Sequence, residues 1–191
     1  MQTTHRQGER GFSLVEMIVA VALFAIIMLV AVGALLSLVD ANRKARTLES
    51  VMNNLNISLD SMVRAMRMGS TYNCGGTLIP SSVGADCPTG DDLFSFAPYG
   101  SDSSQQNERY VYFFQDGRLY RSKNGGTDSI PITAPEIEIE DVKFYTIGTE
   151  PGDIVQPKVV VVIKGTAGTE KLKTRTTFYI QATAVQRSLD I

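Results

Sequence analysis

From Met17 to Leu36 the chain reads MIVAVALFAIIMLVAVGALL, twenty residues without a charge. That is about the length a helix needs to cross a bilayer. A polar segment, MQTTHRQGERG, precedes it and carries Arg6, Glu9 and Arg10. After Val39 the composition turns polar, yet no stop signal appears: no proline occurs from Phe12 to Met68, and the first glycine after Gly33 is Gly69. Over this stretch Leu48, Val51, Met52, Leu55, Leu59, Met62, Val63 and Met66 recur at i, i+3, i+4, i+7 spacing and form one apolar stripe. Asn53, Asn54, Asp60, Ser61, Arg64 and Arg67 occupy the opposite side, where Ile57 is the lone apolar residue. The pattern predicts one helix from about residue 12 to 68, apolar all round in its first half and amphipathic in its second. The Met52, Met62 and Met66 stripe is expected to pack on the domain that follows.

The remainder, residues 69–191, is of ordinary domain size and reads as strands. Tyr110–Gln115 and Arg118–Lys123 flank Asp116-Gly117, the dipeptide of a two-residue hairpin with a type I′ turn. Val142–Ile147 and Lys158–Lys164 follow, and VVVVI in the latter predicts a strand covered on both faces. In Lys171–Val185 the even positions Leu172, Phe178, Ile180, Ala182 and Ala184 are apolar and the odd ones mostly polar. Together these predict an antiparallel sheet with one face free to cover the helix stripe. The fold class is α+β.

Composition removes most enzyme classes. The formal charge is −2, from 18 Lys and Arg against 20 Asp and Glu, so the chain is no polycation suited to nucleic acid. The only histidine is His5 and the only cysteines are Cys74 and Cys87. That leaves no Ser-His-Asp or Cys-His set and no structural zinc cluster in the body of the chain.

Two readings of the apolar run compete. A secretory signal has an apolar stretch of about 7–15 residues before a small-x-small cleavage site, for which Ala31-Val32-Gly33 qualifies, but this run is longer. A plain single-pass anchor fits the length and leaves Glu16 unexplained. A carboxylate at membrane depth costs on the order of 2.5–3.5 kcal/mol, so an acid there calls for a partner, unless it sits hydrated at the headgroup boundary.

Gly11-Phe12-Ser13-Leu14-Val15-Glu16, behind a short basic leader, resembles the processing site of type IV prepilins and type II secretion pseudopilins. The resemblance implies that a membrane prepilin peptidase cuts between Gly11 and Phe12 and methylates the new amine, so that residues 1–11 are a leader lost on maturation. It implies that Glu16 attracts the N-terminal amine of Phe12 on a neighbouring subunit as helices pack in a filament. Opposite charges in a low-dielectric core relieve each other's desolvation cost, which makes the pairing physically sound. The division it implies is 12–39 as membrane and filament-core half, 40–68 as amphipathic half, and 69–191 as head. Charge bias does not set the orientation, since Arg6 and Arg10 against Glu9 face Arg43, Lys44 and Arg46 against Asp40 and Glu49. The N-inside orientation, with the head outside and then in a periplasmic or surface filament, rests on the resemblance. The head, with PKVVVVIKG, KLKTRTTFYIQATAV and the ending Gln186-Arg187-Ser188-Leu189, resembles J-type minor pseudopilins and minor pilins. Implied partners are other pilin or pseudopilin subunits, the peptidase and an assembly platform in the cytoplasmic membrane. A rival reading is a membrane-tethered extracytoplasmic binding domain that does not polymerise.

Cys74 and Cys87 bracket a Gly-, Ser- and Pro-rich loop and, outside the cytoplasm, read as a disulfide. Asp91 and Asp92, with Asp86 nearby, offer oxygens for Ca²⁺ but lack the spacing of a calcium loop, so no metal or cofactor is expected. Lys171, Lys173 and Arg175 read as a solvated strand face, and no nucleic acid is expected. Glu136, Glu138 and Glu140 alternate with Ile137 and Ile139, which suits an exposed edge strand guarded by charge.

Overall fold

The computed structural model describes residues 11–76, 82–150, 152, 154–167 and 176–187. One helix, α1 (Leu14–Met68), is followed by nine strands: β1 (Ser70–Cys74), β2 (Cys87–Asp91), β3 (Leu93–Ala97), β4 (Tyr110–Gln115), β5 (Arg118–Ser122), β6 (Ile130–Pro131), β7 (Ile137–Ile147), β8 (Lys158–Ala167) and β9 (Thr176–Val185). The class is α+β with a long N-terminal helix. The chain divides into two compact units after Arg43.

In the first unit the helix buries nothing. Every residue from 11 to 43 is exposed, so within this unit no described residue covers the apolar side chains of Met17–Leu36. An uncovered apolar surface of this extent is not stable in water and demands lipid or other helices.

In the second unit the stripe does what its spacing predicts. Val51, Leu55, Leu59, Met62 and Met66 are buried, Leu48 and Val63 are half-buried, and Met52 stays largely exposed. Burial of side chains of this size stabilises by about 1.5–3 kcal/mol each. The helix ends at Gly69, whose N–H donates to the Met66 carbonyl at 2.9 Å, while the Tyr72 hydroxyl donates to the same carbonyl at 2.6 Å. The Arg187 N–H donates to the Arg67 carbonyl at 2.9 Å. These bonds occupy carbonyls that the last turn would otherwise leave orphaned. Gly69 is fixed by space: a Cβ there would lie 2.2 Å from a ring carbon of Phe96.

The strands make two antiparallel sheets, β1-β3-β4-β5-β6 and β2-β7-β8-β9, where the sequence reading expected one. The short strands β1 and β2, on either side of the cysteine loop, go to different sheets, and so does β3 from β2. The second half of α1 and both sheets contribute to one core, in which Phe94 of β3 stacks on Phe144 of β7 with ring centroids 5.4 Å apart. The β4–β5 hairpin forms as expected, with Asp116 at φ 49° and Gly117 at φ 74°, the two positive values a type I′ turn requires.

Two expectations need correction. The VVVVI stretch is not covered equally on both faces: Val159, Val161 and Ile163 are buried, and Val160 and Val162 only half-buried. Glu138 and Glu140 do not lie on an open edge strand. Strand β7 is flanked by β8 along its length and by β2 at Phe144 and Thr146, while near the glutamates the Ile139 N–H donates to the Gly117 carbonyl of the hairpin at 2.8 Å and Glu140 pairs with Lys164 of β8 at 2.6 Å. Glu136 precedes the strand. In β9, Phe178, Ile180, Ala182 and Ala184 face inward and Tyr179 and Gln181 outward, as the alternation predicts. Leu172, Lys171, Lys173 and Arg175 lie outside the described residues, as does the leader through residue 10.

Candidate functional site

Gly11 and Phe12 precede the helix, and Ser13 starts it. The Ser13 hydroxyl accepts from the Glu16 N–H at 3.2 Å, and the Ser13 carbonyl accepts from the Met17 N–H at 3.2 Å. Ser13 is thus the N-cap and Glu16 the third helical residue, the S-x-x-E spacing of a capping box. A carboxylate in the first turn also meets the positive end of the helix dipole. The sequence reading singled out Glu16 for its cost in a membrane and missed this local role. The signal was present in Ser13-Leu14-Val15-Glu16.

The side chains of Phe12 and Glu16 are exposed, and among the described residues no cation pairs with Glu16. Val19, Ala20, Leu23, Phe24 and Ile27 continue the same side of the helix as Glu16. The carboxylate therefore stands at the start of a wholly apolar, uncovered face. A Cβ on Gly11 would meet nothing within 4 Å, and its φ does not lie in the left-handed region. Among the described residues nothing crowds that position.

Residues 6–32 match the family model described as the prokaryotic N-terminal methylation motif. They form a prepilin-type cleavage and methylation segment. It is the segment of type IV pilins and pseudopilins, and the chain is pilin-like or pseudopilin-like on that ground. Comparison with curated proteins and with solved structures finds no match. The prepilin-type segment implies assembly with other pilin-type subunits in general and a structural, non-enzymatic role. With the apolar helix, whose most hydrophobic window has a mean hydropathy of 3.1, it fits a membrane-anchored protein.

In the second unit Cys74 and Cys87 are disulfide-bonded, with Cα atoms 5.9 Å apart, and join the end of β1 in one sheet to the start of β2 in the other. Closing a loop of 13 residues' separation stabilises by about 3 kcal/mol. Replacing both cysteines by serine is expected to lower the unfolding free energy by about that amount in denaturant titrations. An unchanged midpoint would show that the bond constrains nothing.

The three aspartates that suggested Ca²⁺ are otherwise engaged. Asp86 accepts from the N–H groups of Gly148 at 3.1 Å and Thr149 at 2.8 Å and from the Thr149 hydroxyl at 3.1 Å, which pins the loop beyond β7. Asp91 accepts from the N–H groups of Asp92 at 2.8 Å and Leu93 at 3.3 Å. The carboxyl of Asp92 is raised above the usual carboxylate range, chiefly by a hydrogen bond with Asp91. Among the described residues no three His, Cys, Asp or Glu side chains gather as a metal-ligand set.

Sequence reasoning also missed Arg109. It is fully buried and donates to the Thr71 hydroxyl at 2.9 Å and the Thr71 carbonyl at 2.5 Å, so it ties the approach to β4 onto β1. Burial lowers its pKa to about 10.

Proposed function

We propose that the chain is a structural, minor subunit of a type IV pilus or type II secretion pseudopilus. Prepilin peptidase cuts it between Gly11 and Phe12, and it assembles through its N-terminal helix from the cytoplasmic membrane, N-terminus inside and head outside, by way of the assembly platform. The observation that carries this reading is Glu16: an exposed acid in the first turn of a helix whose apolar first half no described residue of its unit covers, placed fifth from Phe12. On a neighbouring copy the amine of Phe12 neutralises it, and the packed helices cover the apolar face. The open space around Gly11 supports the cut, because no described residue crowds the position and so explains the glycine.

Mass spectrometry of the N-terminus tests the reading. The expected species begins at Phe12 with a methylated amine. An intact Met1 in assembled material overturns it and leaves a tethered domain that does not polymerise, while a start near Ala34 leaves a secreted protein.

A further inference from the structure

A recess of about 210 Å³ opens between α1 and the first sheet. A water molecule takes about 30 Å³ in the liquid, so the recess has room for a group of several non-hydrogen atoms. Tyr112 and Arg121 form its base. They are directly opposed residues of β4 and β5, and such cross-strand neighbours stand side by side on one face of a sheet. Ser58, Met62 and Ile132 wall it, and Ile57, 72% exposed, stands at the rim with Ser61.

The base of this recess is chemically unfinished. Tyr112 is 1% exposed and its ring is held by stacking on Phe96 at 6.2 Å; its buried hydroxyl interacts with the neighbouring Arg121 guanidinium, itself only a donor, and its own O–H finds no acceptor. The buried Nε–H of Arg121 has none either. Among the described residues Arg121 pairs with no carboxylate, and the recess contains no acid. The Ser58 hydroxyl donates to the Ile132 carbonyl at 2.7 Å, and its oxygen accepts from neither of the two groups. A buried donor without a partner bears its full desolvation cost, so two beside each other mark a place where an acceptor belongs. Burial also pushes the Tyr112 hydroxyl up to about 12, which keeps it protonated and able to donate.

We propose that this recess is a binding site for an organic carboxylate. The guanidinium and the phenol donate to its two oxygens, and the apolar walls of Met62, Ile132 and Ile57 take its carbon stem. A charged, planar acceptor suits the guanidinium better than a neutral one does, and the walls favour a group with a stem over inorganic phosphate. The carboxylate comes either from an acidic side chain of another protein chain or from a free small acid. The site does not depend on how the N-terminus is processed.

The full-length chain, purified in detergent, is melted in sodium acetate and in sodium chloride of equal ionic strength. A higher midpoint in acetate is expected for the unaltered chain. Tyr112→Phe is expected to fold in chloride and to lose the acetate-dependent rise. Arg121→Leu is expected to lose the rise as well. No acetate-specific rise, or an equal rise in Tyr112→Phe, overturns the proposal. The source is read in cells from a cysteine-directed cross-linker on Ile57→Cys. Cross-links to another chain that disappear with Arg121→Leu identify a neighbour's acidic side chain, and cross-linking indifferent to Arg121 beside an intact acetate response identifies a free acid. Both uphold the site.

Discussion

Glu16→Ala is expected to leave the head folded and to remove the chain from filaments. The carboxylate is exposed and contributes only within the first turn of α1, so its loss within one chain costs no more than a capping interaction. In the proposed assembly its loss strands a buried amine on the neighbouring copy, and breaking such a pair from one side costs about 3–5 kcal/mol, a hundredfold or more in incorporation. Glu16→Gln separates the two roles, because glutamine serves in a capping box but carries no charge. It is expected to fail as the alanine variant does. Immunoblots of sheared filaments against membranes read the outcome, and normal incorporation of either variant would contradict the pairing.

Phe94→Ala is expected to destabilise the head by about 3–5 kcal/mol, the range for a large aromatic lost from a close-packed core. Phe94 is fully buried and stacks on Phe144 across the two sheets, with Phe96 at 5.6 Å and Tyr72 at 5.8 Å closing its other sides. Few neighbours can collapse into that space without parting the sheets. Tyr179→Ala on the outer face of β9 is the comparison, expected to stay within about 0.5 kcal/mol because the side chain is exposed. Equal losses in the two variants, measured by chemical unfolding, would show that the sheets are not held through Phe94.

The parts of this molecule that could be read from its sequence are those where one local physical rule governs. The uncharged run before Leu36, the i, i+3, i+4 stripe from Leu48 to Met66 and the Asp116-Gly117 turn each follow from neighbouring residues alone, and each stands as expected. The split into two sheets does not follow that way. Ser-Thr-Tyr-Asn-Cys in β1 and Cys-Pro-Thr-Gly-Asp in β2 carry little strand propensity, and their sheets are chosen by partners far along the chain, β3 for one and β7 for the other. The misreading of Glu138 and Glu140 has the same origin: alternation tells which face a side chain takes but not whether a neighbour covers the strand's edge. The prepilin-type segment was legible because its residues are consecutive. The Tyr112–Arg121 recess was not, since it needs the register of β4 against β5 and the placement of Ile57 and Met62 above them.

The position of the helix cap bears on how the chain could mature. Because Ser13 already closes the first turn, the bond between Gly11 and Phe12 lies outside the hydrogen-bonded ladder. Severing it would unwind nothing: the rod keeps every rung, and the freed amine is left on Phe12, the one residue outside the cap, which can swing toward an acid on another copy without fraying the helix behind it.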